Sequence, residues 1–209
     1  LRRPVQTLKV FVSFLNDREM RMDEATTERV LQDSMFELDN LSAYLGKLKD
    51  MVCADERETL LRPSAFNLRE LVEKVVRLTN IPAGKKVSFS TAFPPDMPDL
   101  TADPVHVANV LSNLIENAIK YSGEEVNIDI VVLWNQQGVE LTVSDNGFGI
   151  APDERRKVFE KFYRSSHLPD KQIPGIGLGL SYVRQIVEAH HGSVSLRSEL
   201  GEGTRITIN

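Results

Sequence analysis

Three asparagines, Asn109, Asn113 and Asn117, recur every four residues and are followed by Lys120 within the stretch "NVLSNLIENAIKYS". At about 100° per residue they share one helical face with His106, while Val107, Leu111, Leu114, Ile115 and Ala118 line the other. A face that only meets water is more readily filled with Glu, Lys or Gln, because the asparagine amide competes with the backbone and lowers helix propensity. Amide oxygens in a line can ligate a hard cation, and an ammonium one turn away can meet an anion. The combination suits a metal-bound phosphate, and the competing reading is a solvated surface face.

Two further stretches bear on that choice. "DNGFGI" (145–150) follows a strand pattern ending in Val143 and sets Asp145 just before Gly147 and Gly149. Alone it could be a tight turn. "GIGLGL" (175–180) places Gly175, Gly177 and Gly179 at alternate positions before an apolar helical pattern, where backbone N–H groups and the positive helix end can approach a phosphate. No strand immediately precedes this run and no lysine follows it, which sets aside the dinucleotide fingerprint and the P-loop.

The asparagine helix, the D-x-G-x-G, the aromatic block "FEKFYR" (159–164) and the glycine run, in that order and spacing, resemble the ATP-binding domain of two-component sensor histidine kinases over residues 67–209. The resemblance implies ATP and Mg²⁺ as cofactors, with Asn117 on the metal and Asn113 and Lys120 toward the triphosphate. It implies that Tyr121 lines the adenine pocket and Asp145 accepts from the adenine amino group. Gly147 and Gly149 would let the base sit close, and Gly175, Gly177 and Gly179, with Leu180 after them, would border the phosphates. Arg164 is a candidate partner for the terminal phosphate, with a rim salt bridge as the alternative. Phe159 and Phe162 read as anchors of a lid, and "SSHLPDKQIP" (165–174) as the lid itself.

In related ATPases that hydrolyse their nucleotide, a glutamate stands one turn before the metal-binding asparagine and activates water. Asn113 occupies that place here, and an amide cannot act as a general base, so water attack is expected to be slow. Glu116 lies about 60° off the stripe and is not cast as that base. The opening "LRRPV" resembles the tail of the family's phosphoacceptor motif, which places the acceptor histidine two residues before Leu1 and Arg3 at a position that in many bifunctional members is Thr or Asn. The expected parent reaction moves the ATP γ-phosphoryl to that histidine and on to the aspartate of a response-regulator receiver domain. A hydrolytic ATPase of the same superfamily and a catalytically silent dimerisation scaffold are the rival readings.

The elements that must position these residues fall into two regions. Residues 1–61 carry helical stripes, Leu8, Phe11, Val12 and Leu15 and then the heptad Leu31, Leu38, Leu45 and Val52 interleaved with Leu41 and Leu48. Such a seam predicts a truncated helical hairpin, turning near residues 16–23 and pairing with a second copy as a four-helix bundle. Residues 62–209 predict an α+β sandwich with helices on one face of a mixed sheet. Asn67 caps a helix with Leu71, Val72, Val75 and Val76, "KVSFSTAF" is a strand, and a helix runs from Asp103 to Tyr121. Residues 127–145 form a hairpin, 175–191 a glycine-led helix and 192–209 a closing hairpin.

Composition bounds the reading from outside. At 209 residues and 41% hydrophobic content the chain can bury a real core. Its net charge of −5 argues against a nucleic-acid binder. The lone Cys53 cannot form an internal disulfide and fits a reducing cytoplasm. No apolar run approaches the roughly 18 residues of a membrane span. With Leu1 in place of Met, the chain reads as an excised fragment, and the resemblance implies the cytoplasmic portion of an inner-membrane-anchored bacterial sensor.

Overall fold

The computed structural model describes residues 61–135, 138–167, 173 and 175–209. All but the last residue of the hairpin expected over 1–61, its dimer seam, Arg3 and Cys53 lie outside them, as do residues 168–172 and 174 of the expected lid.

The described chain opens with a short strand, β1 (Ser64–Phe66), and a helix, α1 (Leu68–Leu78). Asn67 starts α1 by accepting the Glu70 N–H, and Glu70 in the first turn and Arg77 in the last complement the helix dipole. Leu68 and Val72 are buried. Strand β2 (Lys86–Ala92) follows, then β3 (Leu100–Ala102), which pairs antiparallel with β1 as a separate two-stranded ribbon.

Helix α2 (Pro104–Lys120) holds the asparagine stripe. Asp103 caps it, with Oδ1 accepting the N–H groups of Val105 (3.0 Å) and His106 (3.2 Å), and Pro104 fits the first turn because its missing N–H is one the helix leaves unpaired. The other carboxylate oxygen takes the Arg62 N–H at 2.7 Å. Burial opposes the charge on Asp103, but the three N–H donors and the nearby His106 outweigh it and hold the carboxyl below the ordinary aspartate range. The Asp103 N–H donates to His190 Nε2 (3.0 Å), while His190 Nδ1 bonds the Ile186 carbonyl (2.8 Å).

Strands β4 (Glu125–Asn135) and β5 (Gly138–Asp145) form the long hairpin. A 3₁₀ turn (Lys157–Phe159) and helix α3 (Gly179–Ala189) lead to the closing hairpin β6 (Val194–Glu199) and β7 (Gly203–Ile208). The five-stranded sheet has the order β2-β4-β5-β7-β6. Only β2 and β4 are parallel within it, which requires a crossover, and α2 supplies it. Strand β4 alternates buried Val126, Ile128, Ile130 and Val132 with exposed Asn127 and Asp129. The buried set meets Leu111, Leu114, Ile115 and Ala118 of α2 and Val183, Ile186 and Val187 of α3 in one core. The result is a two-layer α/β sandwich with three helices over a mixed sheet, and among the described residues no helix is long and apolar enough to cross a membrane.

Two local expectations change. The β1–β3 ribbon is absent from the sequence reading, because three-residue strands carry too few alternations to register. Helix α3 begins at Gly179, not Gly175, since Gly175 (φ 151°) and Gly177 (φ 78°) hold positive-φ conformations outside the helical region.

Candidate functional site

Helix α2 buries one face and turns the other toward the glycine run. Asn113, Asn117 and Lys120 are half-buried and Asn109 is exposed. A side-chain carbon on Gly179 would stand 3.1 Å from Asn113 Oδ1 and 3.5 Å from Asn117 Nδ2, and one on Gly175 would collide with the Lys120 ammonium. One turn into α3, the Tyr182 hydroxyl lies 2.9 Å from His106 Nδ1 and 3.5 Å from Asn109 Nδ2. The segment 175–182 therefore runs along the stripe in the opposite direction, residue group against residue group. Asn113 donates from Nδ2 to the Asn109 carbonyl at 2.8 Å, which leaves its amide oxygen on the glycine side.

At the other end of the stripe, Lys120 donates to the Tyr121 hydroxyl (2.9 Å) and lies 4.5 Å above that ring. Tyr121 closes α2, and its carbonyl accepts the Phe148 N–H at 2.9 Å, which ties the helix end to the loop after β5. Asp145 ends β5 there. Its Oδ1 accepts from the N–H groups of Gly147 (2.8 Å) and Thr204 (3.1 Å), while Oδ2 takes no hydrogen bond from the described residues. Burial pushes the Asp145 carboxyl above the ordinary aspartate range, against the pull of those two donors. The structure thus sets Gly175 and Gly179 against Asn113, Asn117 and Lys120, and gathers Tyr121, Asp145 and Gly147 at the C-terminal end of the stripe.

Three of the other residues singled out in the sequence have roles inside the fold. Gly149 (φ 70°) passes so close to the Glu199 carbonyl that a side chain would overlap it, and Gly177 packs equally closely on the Tyr163 carbonyl. Leu180 packs on the hydrophobic core. Arg164 is exposed and donates to the Ile173 carbonyl. Phe159 is buried beneath the Arg184 guanidinium, 4.5 Å from its ring centroid, whereas most of the lid it was expected to anchor lies outside the described residues. Phe162 anchors nothing among the described residues: it is 63% exposed, with a positive φ of 67° and an N–H bond to the Gly177 carbonyl (2.9 Å).

Sequence reasoning passed over Glu154, which stands among the charges of "DERRKVFEK" with nothing to separate it from a surface residue. The structure buries it fully. Its Oε1 accepts from the Tyr163 hydroxyl (2.9 Å), the Ser166 N–H (3.0 Å) and the Ser166 hydroxyl (3.1 Å), Oε2 accepts from Ser165, and His167 Nδ1 lies 3.3 Å away. Burial alone would raise this carboxyl, but the donors from Ser165, Ser166, Tyr163 and His167 win and hold it at about 2. Burial and the carboxylate push the Tyr163 hydroxyl up to about 12.

Among the described residues no group of three or more His, Cys, Asp or Glu side chains could hold a metal by itself. The amide oxygens of the stripe do fit Mg²⁺, which takes few protein ligands and keeps waters or phosphate oxygens for the rest of its shell.

Residues 102–209 match the histidine kinase-, DNA gyrase B- and HSP90-like ATPase family. The adaptive-response sensory kinase SasA of Synechococcus sp. (strain JA-2-3B'a(2-13)) is 31% identical over 208 residues, which are 98% of this chain and 54% of that protein. The chain spans about half the length of the curated relatives it matches. Full-length ShkA in complex with AMPPNP shares the fold at a TM-score of 0.76 and 21% identity, covering 98% of this chain and 45% of that one. Histidine kinase ThkA in complex with the response regulator protein TrrA does so at 0.73 and 23%, covering 99% and 57%. The pairing of an asparagine-lined helix with a glycine run thus stands on a fold and a sequence that relatives share, and the chain belongs to the histidine kinase-, DNA gyrase B- and HSP90-like ATPase family, with a catalytic domain of the sensor histidine kinase type.

Proposed function

We propose that Mg·ATP binds in a groove between the asparagine stripe and the glycine run and that the protein transfers its γ-phosphoryl to a histidine imidazole, from which a response-regulator aspartate receives it. The observation that carries this reading is the register of stripe and glycine run, with Asp145 at one end of the groove. Asp145 Oδ2 accepts from the adenine amino group, and Tyr121 lines the base. Asn117 ligates the metal, Asn113 and Lys120 face the triphosphate, and the N–H groups near Gly175, Gly177 and Gly179 border it. Arg164 meets the terminal phosphate. Mg²⁺, when bound, spreads the charge that develops on the phosphoryl oxygens. The protein's own contribution is positioning: it holds the nucleotide in line for an acceptor histidine expected just upstream of Leu1, on the continuation of the helical hairpin of 1–61. That hairpin dimerises as a four-helix bundle in this reading, and upstream parts of a longer protein anchor it to a membrane.

A hydrolytic role is disfavoured by the stripe itself. Asn113 stands where a water-activating carboxylate would be needed, and its amide is engaged with the Asn109 carbonyl. Calorimetry with ATP, with and without Mg²⁺, tests the binding site. Asn117→Ala is expected to remove the Mg²⁺-dependent part of the affinity, about tenfold for one lost ligand bond. Full magnesium dependence in the variant would sink the assignment of Asn117.

A further inference from the structure

Five consecutive residues, Tyr163 to His167, wrap one buried carboxylate, and four of them touch it. Tyr163, Ser165 and Ser166 hydrogen-bond Glu154, and His167 lies within ion-pair distance of it. The fifth is Arg164, whose side chain is exposed and reaches the Ile173 carbonyl instead. On the opposite side the same segment abuts the glycine run. The Tyr163 carbonyl packs against Gly177 so closely that any side chain there would overlap it, and the Phe162 N–H bonds the Gly177 carbonyl. The backbone on both sides of Arg164 is therefore fixed, to a fully buried acceptor on one face and to the proposed phosphate-bordering loop on the other.

We infer that Glu154 is a positioning residue: it clamps the residues flanking Arg164 so that the guanidinium is presented to the terminal phosphate of the nucleotide. The inference rests on the role proposed above for Arg164. A carboxylate suits the task because it accepts several bonds at once, from side chains and from the backbone, and its burial leaves no water to compete for them. Arginine's long side chain loses much rotamer freedom on binding, so a fixed backbone beneath it lowers the cost of placing its donors.

A double-mutant cycle tests this, with Mg·ATP and Mg·ADP affinities measured on the unmutated protein, Glu154→Gln, Arg164→Ala and the double variant. Arg164→Ala is expected to weaken ATP about tenfold, the scale of one charge-assisted bond, and to leave ADP unchanged. Glu154→Gln should lose ATP affinity roughly three- to tenfold with ADP again unchanged, and the double variant should be no weaker than Arg164→Ala alone. Equal weakening of ATP and ADP by Glu154→Gln, or losses that add in the double variant, would overturn the clamp while leaving Arg164's role standing. No ATP-specific loss in Arg164→Ala would overturn both. If Glu154→Gln does not fold, Ser165→Ala and Tyr163→Phe each remove one bond of the clamp, and the same non-additivity with Arg164→Ala is expected of them, additive losses overturning it.

Discussion

In the proposed function Asp145 is both a structural acceptor and the group that recognises adenine. Two backbone donors converge on Oδ1 and orient the side chain, while Oδ2 takes no hydrogen bond from the described residues. Burial raises its carboxyl above the ordinary aspartate range. The adenine amino group is a donor, so it needs the ionised form. Nucleotide affinity should therefore fall as pH drops through that raised range, earlier than an ordinary aspartate would titrate. The ligand-free protein has the opposite dependence: a raised carboxyl contributes stability below the unfolded aspartate range and loses it as pH rises through the folded value. In Asp145→Asn, titration calorimetry across the acidic range should find affinity about tenfold weaker at neutral pH and flat on acidification. An unchanged acid limb in that variant would place the titrating group elsewhere.

Helix α2 is the element that sets the groove, and its two ends are held differently. At the C-terminal end Lys85 donates to the Ile119 and Ser122 carbonyls, and desolvation lowers the pKa of its ammonium. At the N-terminal end Asp103 accepts three N–H groups, and its own N–H bonds His190 at the end of α3. Asp103→Ala should cost about 2 kcal/mol in urea unfolding, the upper range for a cap, because it also strands the Arg62 N–H. A loss below about 0.5 kcal/mol would mean that water replaces those bonds. The helix itself is legible in the sequence, since its apolar positions follow the 3.6 period, Asp103-Pro104 marks its start and the polar stripe stands out by composition. The β4–β5 hairpin is legible for the same kind of reason, as β4 alternates buried Val126, Ile128 and Ile130 with polar Asn127 and Asp129. Glu154 and the His106–Tyr182 contact are not legible, because each depends on residues that only the folded chain brings together and neither carries a local pattern. Phe162 misleads because its outward turn is set by backbone φ, which aromatic character does not reveal.

At the scale of the whole molecule, the proposed function has a neutral stripe hold the nucleotide for transfer to a histidine without activating water against it. Family membership accounts for the nucleotide groove, while the fate of the phosphoryl turns on Asn113 and on the acceptor. The most direct measurement incubates γ-labelled ATP and Mg²⁺ with a form of the protein extended upstream past Leu1 to include the expected histidine, following protein-bound label and released phosphate together. Acid-labile, base-stable label is expected on the protein, formed faster than phosphate is released and lost when that histidine is replaced by glutamine. Rapid release of inorganic phosphate with no label on histidine would contradict the proposed function.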